Sequence, residues 1–300
     1  MIEVVGHTAV DHICQVSHLP APNSSTSVLD RKIFFGGGAA NIAAGIATLG
    51  GKVALISAVG GDFTGSEYDK WMKQLGIEKR FFVVPEANTA TAFMFTDPAG
   101  AQMTFFEWGA SQVFQTAKAP SLSFVHMATA DPEFNVRVAQ QAAFSSFDPG
   151  QDIHRYTREH LDVIMDNIDI LIANQHEYDG MCKTLDTTRE KLIERVPLAI
   201  ETRSGEGCIV SHQGKTTRIP AVSVACQDPT GAGDGFRAGF LTAYAKGYDP
   251  ITAVQVGTVT ASFVVEVAGC QTALADWTGM LERYRGQFGS LPIPDEPRIV

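Results

Sequence analysis

What is scarce in this chain narrows the field first. Cysteine occurs five times in 300 residues, at Cys14, Cys182, Cys208, Cys226 and Cys270. The number is odd and no pair stands at C-x-x-C, so neither a disulfide framework nor a cysteine zinc site is expected, and the thiols read as buried apolar groups. Runs of Lys or Arg are missing, and 23 basic residues against 33 acidic ones leave a net charge of −10. A phosphate backbone would repel such a surface, which excludes nucleic acid as a partner. The least polar stretch, 253–269, carries Gln255, Glu266 and three hydroxyl residues, which suits a buried helix and not a membrane span. Met1-Ile2-Glu3-Val4-Val5-Gly6 has neither a basic leader nor an apolar export core, so a cytoplasmic location without a membrane partner is expected. Neither G-x-x-x-x-G-K-[ST] nor G-x-S-x-G occurs, which removes P-loop nucleotidases and common serine hydrolases.

What is present is a chain with 45% hydrophobic residues and 28 glycines, long enough for one large domain or two ordinary ones. Strand-like runs at 3–6, 53–59, 124–128, 145–148, 168–173, 199–202 and 208–211 alternate with helical patterns at 39–49, 66–75, 133–143, 158–167, 177–184, 233–246, 251–267 and 276–287. This alternation predicts an α/β fold with a mainly parallel central sheet flanked by helices. Residues from about 12 to 35 and from about 80 to 107 are strand-rich with no helix between them, as in Arg80-Phe81-Phe82-Val83-Val84. They are expected to form a small β lid, the other reading being edge hairpins on the main sheet. Prolines at 292, 294 and 297 forbid a helix, so 289–300 is expected to be an extended tail.

Two glycine turns carry most of the chemical information. Asp228-Pro229-Thr230-Gly231-Ala232-Gly233-Asp234 runs into a helix whose Phe236, Gly239, Phe240, Ala243 and Tyr244 recur at helical spacing. Small residues at a helix start let backbone N–H groups converge on an anion. Asp234 in the first turn is then either a dipole-favoured acid or a base beside an anion cradle, placed to take a proton from an attacking hydroxyl. Phe35-Gly36-Gly37-Gly38-Ala39-Ala40-Asn41 opens a second helix; it reads equally as a ligand loop, with Asn41 as donor and acceptor, or as a packing turn. Asn174 and Glu177 follow an apolar strand, at the end where open α/β sheets bind ligands, and the same pair would serve as a helix cap. Gly233-Asp234-Gly235-Phe236-Arg237-Ala238 satisfies G-x-G-x-x-A, but an acid sits inside the turn and no ribose-binding acid is placed about 20 residues on.

Taken in order and spacing, Gly36-Gly37 with Asn41, Asn174-x-x-Glu177, Thr202 to Gly207 and Asp228 to Asp234 resemble the PfkB/ribokinase family of sugar and nucleoside kinases, over about residues 1–288. The most specific motif is D-P-T-G-A-G-D. Segments 126–135, 147–152 and 261–266 are similar to archaeal nucleoside kinases of that family. The resemblance implies a ribokinase-like, Rossmann-like α/β kinase domain over 1–288 with a β lid above the acceptor, using ATP with Mg²⁺. It gives Asp234 the part of general base, and the amides of Gly231, Ala232 and Gly233 that of stabilising the moving phosphoryl group. Asp11, Gly36, Gly37 and Asn41 would hold the acceptor's hydroxyls, while Asn174, Thr202 and Gly207 would line the ATP side. Glu177 would hold Mg²⁺ through water, and Asp228 with Thr230 match the family's loop for a monovalent cation such as K⁺.

Departures from the family pattern sharpen this expectation. Gly38 stands where ribokinases carry Lys, which turns the reading away from a ribose kinase. Asp148-Pro149-Gly150-Gln151-Asp152 replaces D-x-N-x-R and supplies no Arg for a sugar phosphate. Thr202-Arg203-Ser204-Gly205-Glu206-Gly207 displaces the middle glycine of the nucleotide loop, and Ala273 lacks a hydroxyl found at one cation position in ribokinases. The expected activity is transfer of the ATP γ-phosphoryl group to the 5′-hydroxyl of a ribonucleoside, with broad base tolerance. The alternatives are a sugar or sugar-phosphate kinase of the ribose or fructose 6-phosphate class, and a catalytically silent nucleoside- or sugar-binding regulator. Phe34, Phe35, Phe93 and Phe105 would stack on a base or fill a core. Exposed lid strands would pair two copies into a homodimer.

Overall fold

The structure, a computed structural model, describes residues 1–299. Strands run in chain order as β1 (Ile2–Val5), β2 (Ala9–Val16), β3 (Val28–Gly36), β4 (Val53–Gly60), β5 (Glu78–Val84), β6 (Ala90–Thr96), β7 (Gln102–Glu107), β8 (Val125–Met127), β9 (Ser145–Phe147), β10 (Ile170–Asn174), β11 (Leu198–Thr202), β12 (Cys208–His212) and β13 (Lys215–Ile219). The helices are α1 (Gly38–Thr48), α2 (Glu67–Gln74), α3 (Pro132–Ala139), α4 (Arg158–Met165), α5 (Gln175–Leu185), α6 (Arg189–Ile193), α7 (Ala232–Ala245), α8 (Pro250–Val264) and α9 (Trp277–Phe288).

Nine strands form one sheet in the order β13-β12-β11-β10-β9-β8-β1-β4-β5. Pairing is parallel from β11 to β5 and turns antiparallel only at β12 and β13. All eight residues of β4 and all four of β1 are buried, as strands covered on both faces must be. On one face Ile42 and Ile46 of α1 pack with Phe240 and Leu241 of α7, Val256 and Val259 of α8, and Met280 of α9. On the other face Phe134 and Val138 of α3, Leu161 and Ile164 of α4, and Tyr178 and Met181 of α5 form the second core. The result is a three-layer sandwich with two apolar cores.

A separate four-stranded sheet, in the order β3-β2-β6-β7, makes the lid. It is mixed, with β2 parallel to β6 and the outer pairs antiparallel. Arg80–Val84 does not belong to it: β5 pairs in parallel with β4 at the edge of the large sheet. Its aromatic, β-favouring composition suited either sheet, and Phe81 and Phe82 settle the matter by packing against the two cores of the sandwich. Two short elements, β13 and α6, have no counterpart among the expected segments. Cys226 is exposed and Cys182 half-buried, whereas Cys14, Cys208 and Cys270 are buried as expected. The described residues beyond α9 carry no regular element, yet Arg298 returns to the end of α7: its Nη1 donates to the carbonyls of Tyr244 and, just past the helix, Tyr248 at 2.6 and 2.8 Å. No helix of the described residues is long and apolar enough to cross a membrane.

Candidate active site

The parallel strands end together, and their C-terminal ends meet the lid and the starts of α1, α5 and α7. Open α/β sheets leave a crevice at this edge. Gly37 begins α1 with φ 91°, and a Cβ there would lie 2.4 Å from the His7 carbonyl oxygen. Only glycine reconciles that backbone with the end of β1. Gly36 has its own constraint, because the Asp11 carboxylate occupies the space a side chain would need, 2.1 Å from an added Cβ. The Asp11 carboxylate on β2 thus packs directly on Gly36 of the neighbouring strand β3.

Gly231, at φ 79°, caps α7 without a side-chain bond and points the first turn at the crevice. Of the three expected amide donors, that of Ala232 is engaged by the Pro229 carbonyl at 3.2 Å. Gly231 and Gly233 flank it. Asp234 accepts a hydrogen bond from Asn41 Nδ2 at 2.9 Å, a contact spanning 193 residues of sequence. Thus Asp11, Gly36, Gly37, Asn41, Gly231, Gly233 and Asp234 are gathered at one locus.

Asn174 and Glu177 form a reciprocal cap at the start of α5. Asn174 Oδ1 accepts from the Glu177 amide at 2.9 Å, and Glu177 Oε2 accepts from the Asn174 amide at 2.7 Å. Both readings of the pair are compatible, since each carboxylate oxygen keeps a second lone pair. Thr202 lies opposite Asn174 in the parallel β10–β11 pair, at the same edge. Gly207 stands a short turn further on, with φ 90° and its own carbonyl accepting from the Arg203 amide at 2.8 Å. Asp228 is half-buried and ties two loops, accepting from the amides of Thr230 at 2.9 Å and Gly269 at 3.4 Å, while Thr230 is exposed.

One residue to which the sequence assigns no role organises the centre of the site. Arg237, 6% exposed, lies 2.6 Å from Asp148, 3.8 Å from Asp234 and 3.9 Å from Glu177. Its guanidinium sits against Gly233, where an added Cβ would be 2.4 Å from Nη1. Asp148 comes from the segment that replaces D-x-N-x-R, so the cation missing there arrives from α7 instead. The available signal was a charged residue between Phe236 and Gly239 on an otherwise buried helix face.

Three carboxylates share one buried cation, with Asp11 beside Asp234, and their protons respond. Burial pushes Asp234 up to about 6 against the pull of Arg237 and Asn41. Burial, with the charge of Asp234 added, pushes Asp11 up to about 7. Glu177 rises to about 7 through burial and the Asp148 charge, opposed by Arg237. Asp148 rises through burial, with Arg237 opposing. A carboxylate near 6 is ionised at neutral pH yet basic enough to take a proton in a transition state.

The expected lid aromatics divide. Phe35 stacks on Tyr68 of α2 at 4.3 Å and is committed to packing, while Phe105 is 60% exposed. Unforeseen was a cluster at the mouth, where Trp108 meets His7 edge-on at 4.8 Å and carries Arg155 on its face at 3.9 Å.

Comparison with known proteins supplies the family. The model of the pfkB family of carbohydrate kinases matches residues 1–277. A nucleoside kinase of Methanocaldococcus jannaschii is 41% identical over 289 residues, covering 94% of this chain and 96% of that one. Its counterpart from Methanothermobacter thermautotrophicus is 40% identical over 299 residues, covering 96% of each. In three dimensions, the Burkholderia thailandensis nucleoside kinase in complex with inosine superposes with a TM-score of 0.89 at 26% identity, covering 98% of this chain and 99% of that one. With a ribokinase-like sandwich, a β lid and the glycine turns at its mouth, the chain belongs to the pfkB family of carbohydrate kinases.

Proposed function

We propose that this protein is an ATP-dependent nucleoside kinase that phosphorylates the 5′-hydroxyl of a ribonucleoside, with broad base tolerance. The observation that carries the reading is the Asn41–Asp234 contact beside the α7 N-terminus, directly across from Asp11. Relatives named nucleoside kinase at 40% identity or more, and a similar structure holding inosine, support the choice of acceptor over a ribose or sugar-phosphate class. Ribose hydroxyls would lie against Asp11, Gly36, Gly37 and Asn41, with the 5′-hydroxyl toward Asp234. Asp234 takes the hydroxyl proton as the oxygen attacks the γ-phosphorus. Backbone donors at Gly231 and Gly233, with the helix dipole behind them, stabilise charge on the transferred group; the Ala232 amide joins them on leaving the Pro229 carbonyl.

Asn174, Thr202 and Gly207 line the triphosphate side. No group of three or more His, Cys, Asp or Glu among the described residues is arranged as a metal cage. Glu177, buried and accepting from both the amide and the side chain of Asn174, would hold a hydrated Mg²⁺ through water. When bound, Mg²⁺ would neutralise the phosphate charge. Asp228 and Thr230 would shape a loop for K⁺, which comparing turnover in K⁺ and Na⁺ tests. The exposed lid residues Val28, Leu29, Ile33, Met103 and Phe105 favour a homodimer through the lid.

The test is coupled detection of ADP with nucleosides, ribose and fructose 6-phosphate as acceptors. Turnover of several nucleosides is expected, and turnover of none would refute the reading. ATP consumption with ribose or fructose 6-phosphate alone would transfer it to the sugar class, and no phosphoryl transfer at all would favour a silent binding protein.

A further inference from the structure

A chain of side chains outside the residues assigned to chemistry ends on Asp234. Trp71 Nε1 on α2 donates to Gln271 Oε1 at 3.0 Å. Gln271 Nε2 donates to Asn41 Oδ1 at 2.9 Å and to the Tyr68 hydroxyl at 2.7 Å. Asn41 Nδ2 then donates to Asp234 Oδ2 at 2.9 Å. Tyr68, accepting from Gln271, donates its own hydroxyl to the Gly36 carbonyl at 2.8 Å.

The direction of every bond follows from one group. An indole N–H donates and cannot accept, so the Gln271 atom facing Trp71 must be oxygen. That places the Gln271 nitrogen against Asn41, which must answer with its oxygen. Asn41 is then left with its nitrogen toward Asp234, a carboxylate that only accepts when ionised. Carboxamides have nearly symmetric shapes, and packing alone would not distinguish the two orientations of Asn41 or Gln271. Trp71 breaks that symmetry from two residues away.

We propose that Trp71 and Gln271 are positioning residues for phosphoryl transfer, fixing the Asn41 carboxamide so that it donates to Asp234 and holds that carboxylate aimed and ionised. The proposal rests on the reading of Asp234 as the base. With the relay broken, Asn41 is held by Asp234 alone, its carboxamide can turn away, and Asp234 loses the donor that favours its ionised form. Asp234 would respond by keeping a proton, which removes the base. The charged and titratable groups around it stay in place: Arg237 on its own helix, Asp148 after β9, Glu177 on α5, Asp11 on β2, Tyr68 on α2 and Cys270 beside Gln271.

Three variants separate this role from packing. Trp71→Phe keeps an aromatic ring and removes only the N–H. Gln271→Met keeps length and removes both amide groups, while Gln271→Glu keeps the acceptor for Trp71 but sets a carboxylate against the Asn41 oxygen. The expected result is a kcat lowered about threefold, tenfold and thirtyfold respectively, with KM for ATP unchanged. The acid limb of kcat/KM should also move to higher pH in each. Asp234→Asn is measured in the same assay, with circular dichroism on every variant. If Asp234→Asn retains full turnover, the reading of the base fails. If Asp234→Asn is inactive while folded Trp71→Phe and Gln271→Met match the parent in kcat and pH limb, the relay alone is overturned. A loss equal at every pH with an unmoved limb also overturns it, because that is the signature of a structural role. Should Gln271 variants fail to fold, Trp71→Phe, altered on a half-buried residue, decides the matter.

Discussion

Replacing Asp11 by Asn should stabilise the ligand-free protein, and should do so more at high pH than at low. Asn keeps the shape that fits against Gly36 and removes a carboxyl whose pKa rises from 3.8 to about 7 in the fold, with no protein donor among the described residues offsetting the rise. The native state therefore holds a proton that the unfolded chain releases between these two values. Stability from this group is highest at low pH, falls as pH rises from about 4 to about 7, and is level above. At pH 8.5 an ionised Asp11 costs about 4 kcal/mol, because each of the roughly three pH units by which its pKa rises is worth about 1.36 kcal/mol. At pH 5.5 the native carboxyl is neutral and the cost is about 2 kcal/mol. The advantage of Asp11→Asn should therefore grow by about 2 kcal/mol between the two, or about 4 °C in Tm for a chain of this size. Calorimetry of both proteins at pH 5.5 and 8.5, without nucleotide, measures it. An equal advantage at both values, or a larger one at pH 5.5, would refute the account of a buried, unpaired charge.

Other outcomes follow from the same cluster and from the lid. Arg237→Met should lose about 3–5 kcal/mol in denaturant unfolding because it strands buried carboxylates, and Asp148→Asn in the same chain should recover part of that. Asp234→Asn should cut kcat by about 10²–10⁴ with ATP affinity retained by calorimetric titration. In the parent, kcat/KM should fall as pH drops through about 6, where Asp234 takes up its proton. A substitution of Phe105 by Glu on the exposed lid face should shift a dimer toward monomer in light scattering; an unchanged mass would remove the lid from the interface.

The sequence is most legible where structure is decided locally. The apolar runs of β1, β4 and β10 and the capped starts of α2, α5 and α9 lie within a residue or two of expectation, because periodicity and cap chemistry act over one turn. Lys215–Ile219 gives no such signal, because its surface-facing polar residues at an edge strand produce no apolar run. Arg80–Val84 joins the large sheet and not the lid, since its composition is strand-like in either and only partner choice, made over long range, distinguishes them. The same limit applies in the site. D-P-T-G-A-G-D announces itself as a contiguous motif, whereas Asn41 meets Gln271 across 230 residues and Arg237 finds Asp148 just beyond another strand. Nothing within one turn of either residue marks those partners.

The two sheets differ in what they carry across their junction. Asp11 rides on the small sheet, whereas Asp234 belongs to the large body, and the negative charge of one lifts the proton affinity of the other. The contact between sheet and body therefore holds two like charges together, and their repulsion grows as the solution becomes more alkaline and both acids ionise. Hydroxyl groups lying between the two acids reverse the balance by offering each a donor. The junction between the two sheets is thus an electrostatic spring, which a molecule bearing hydroxyl donors would relax.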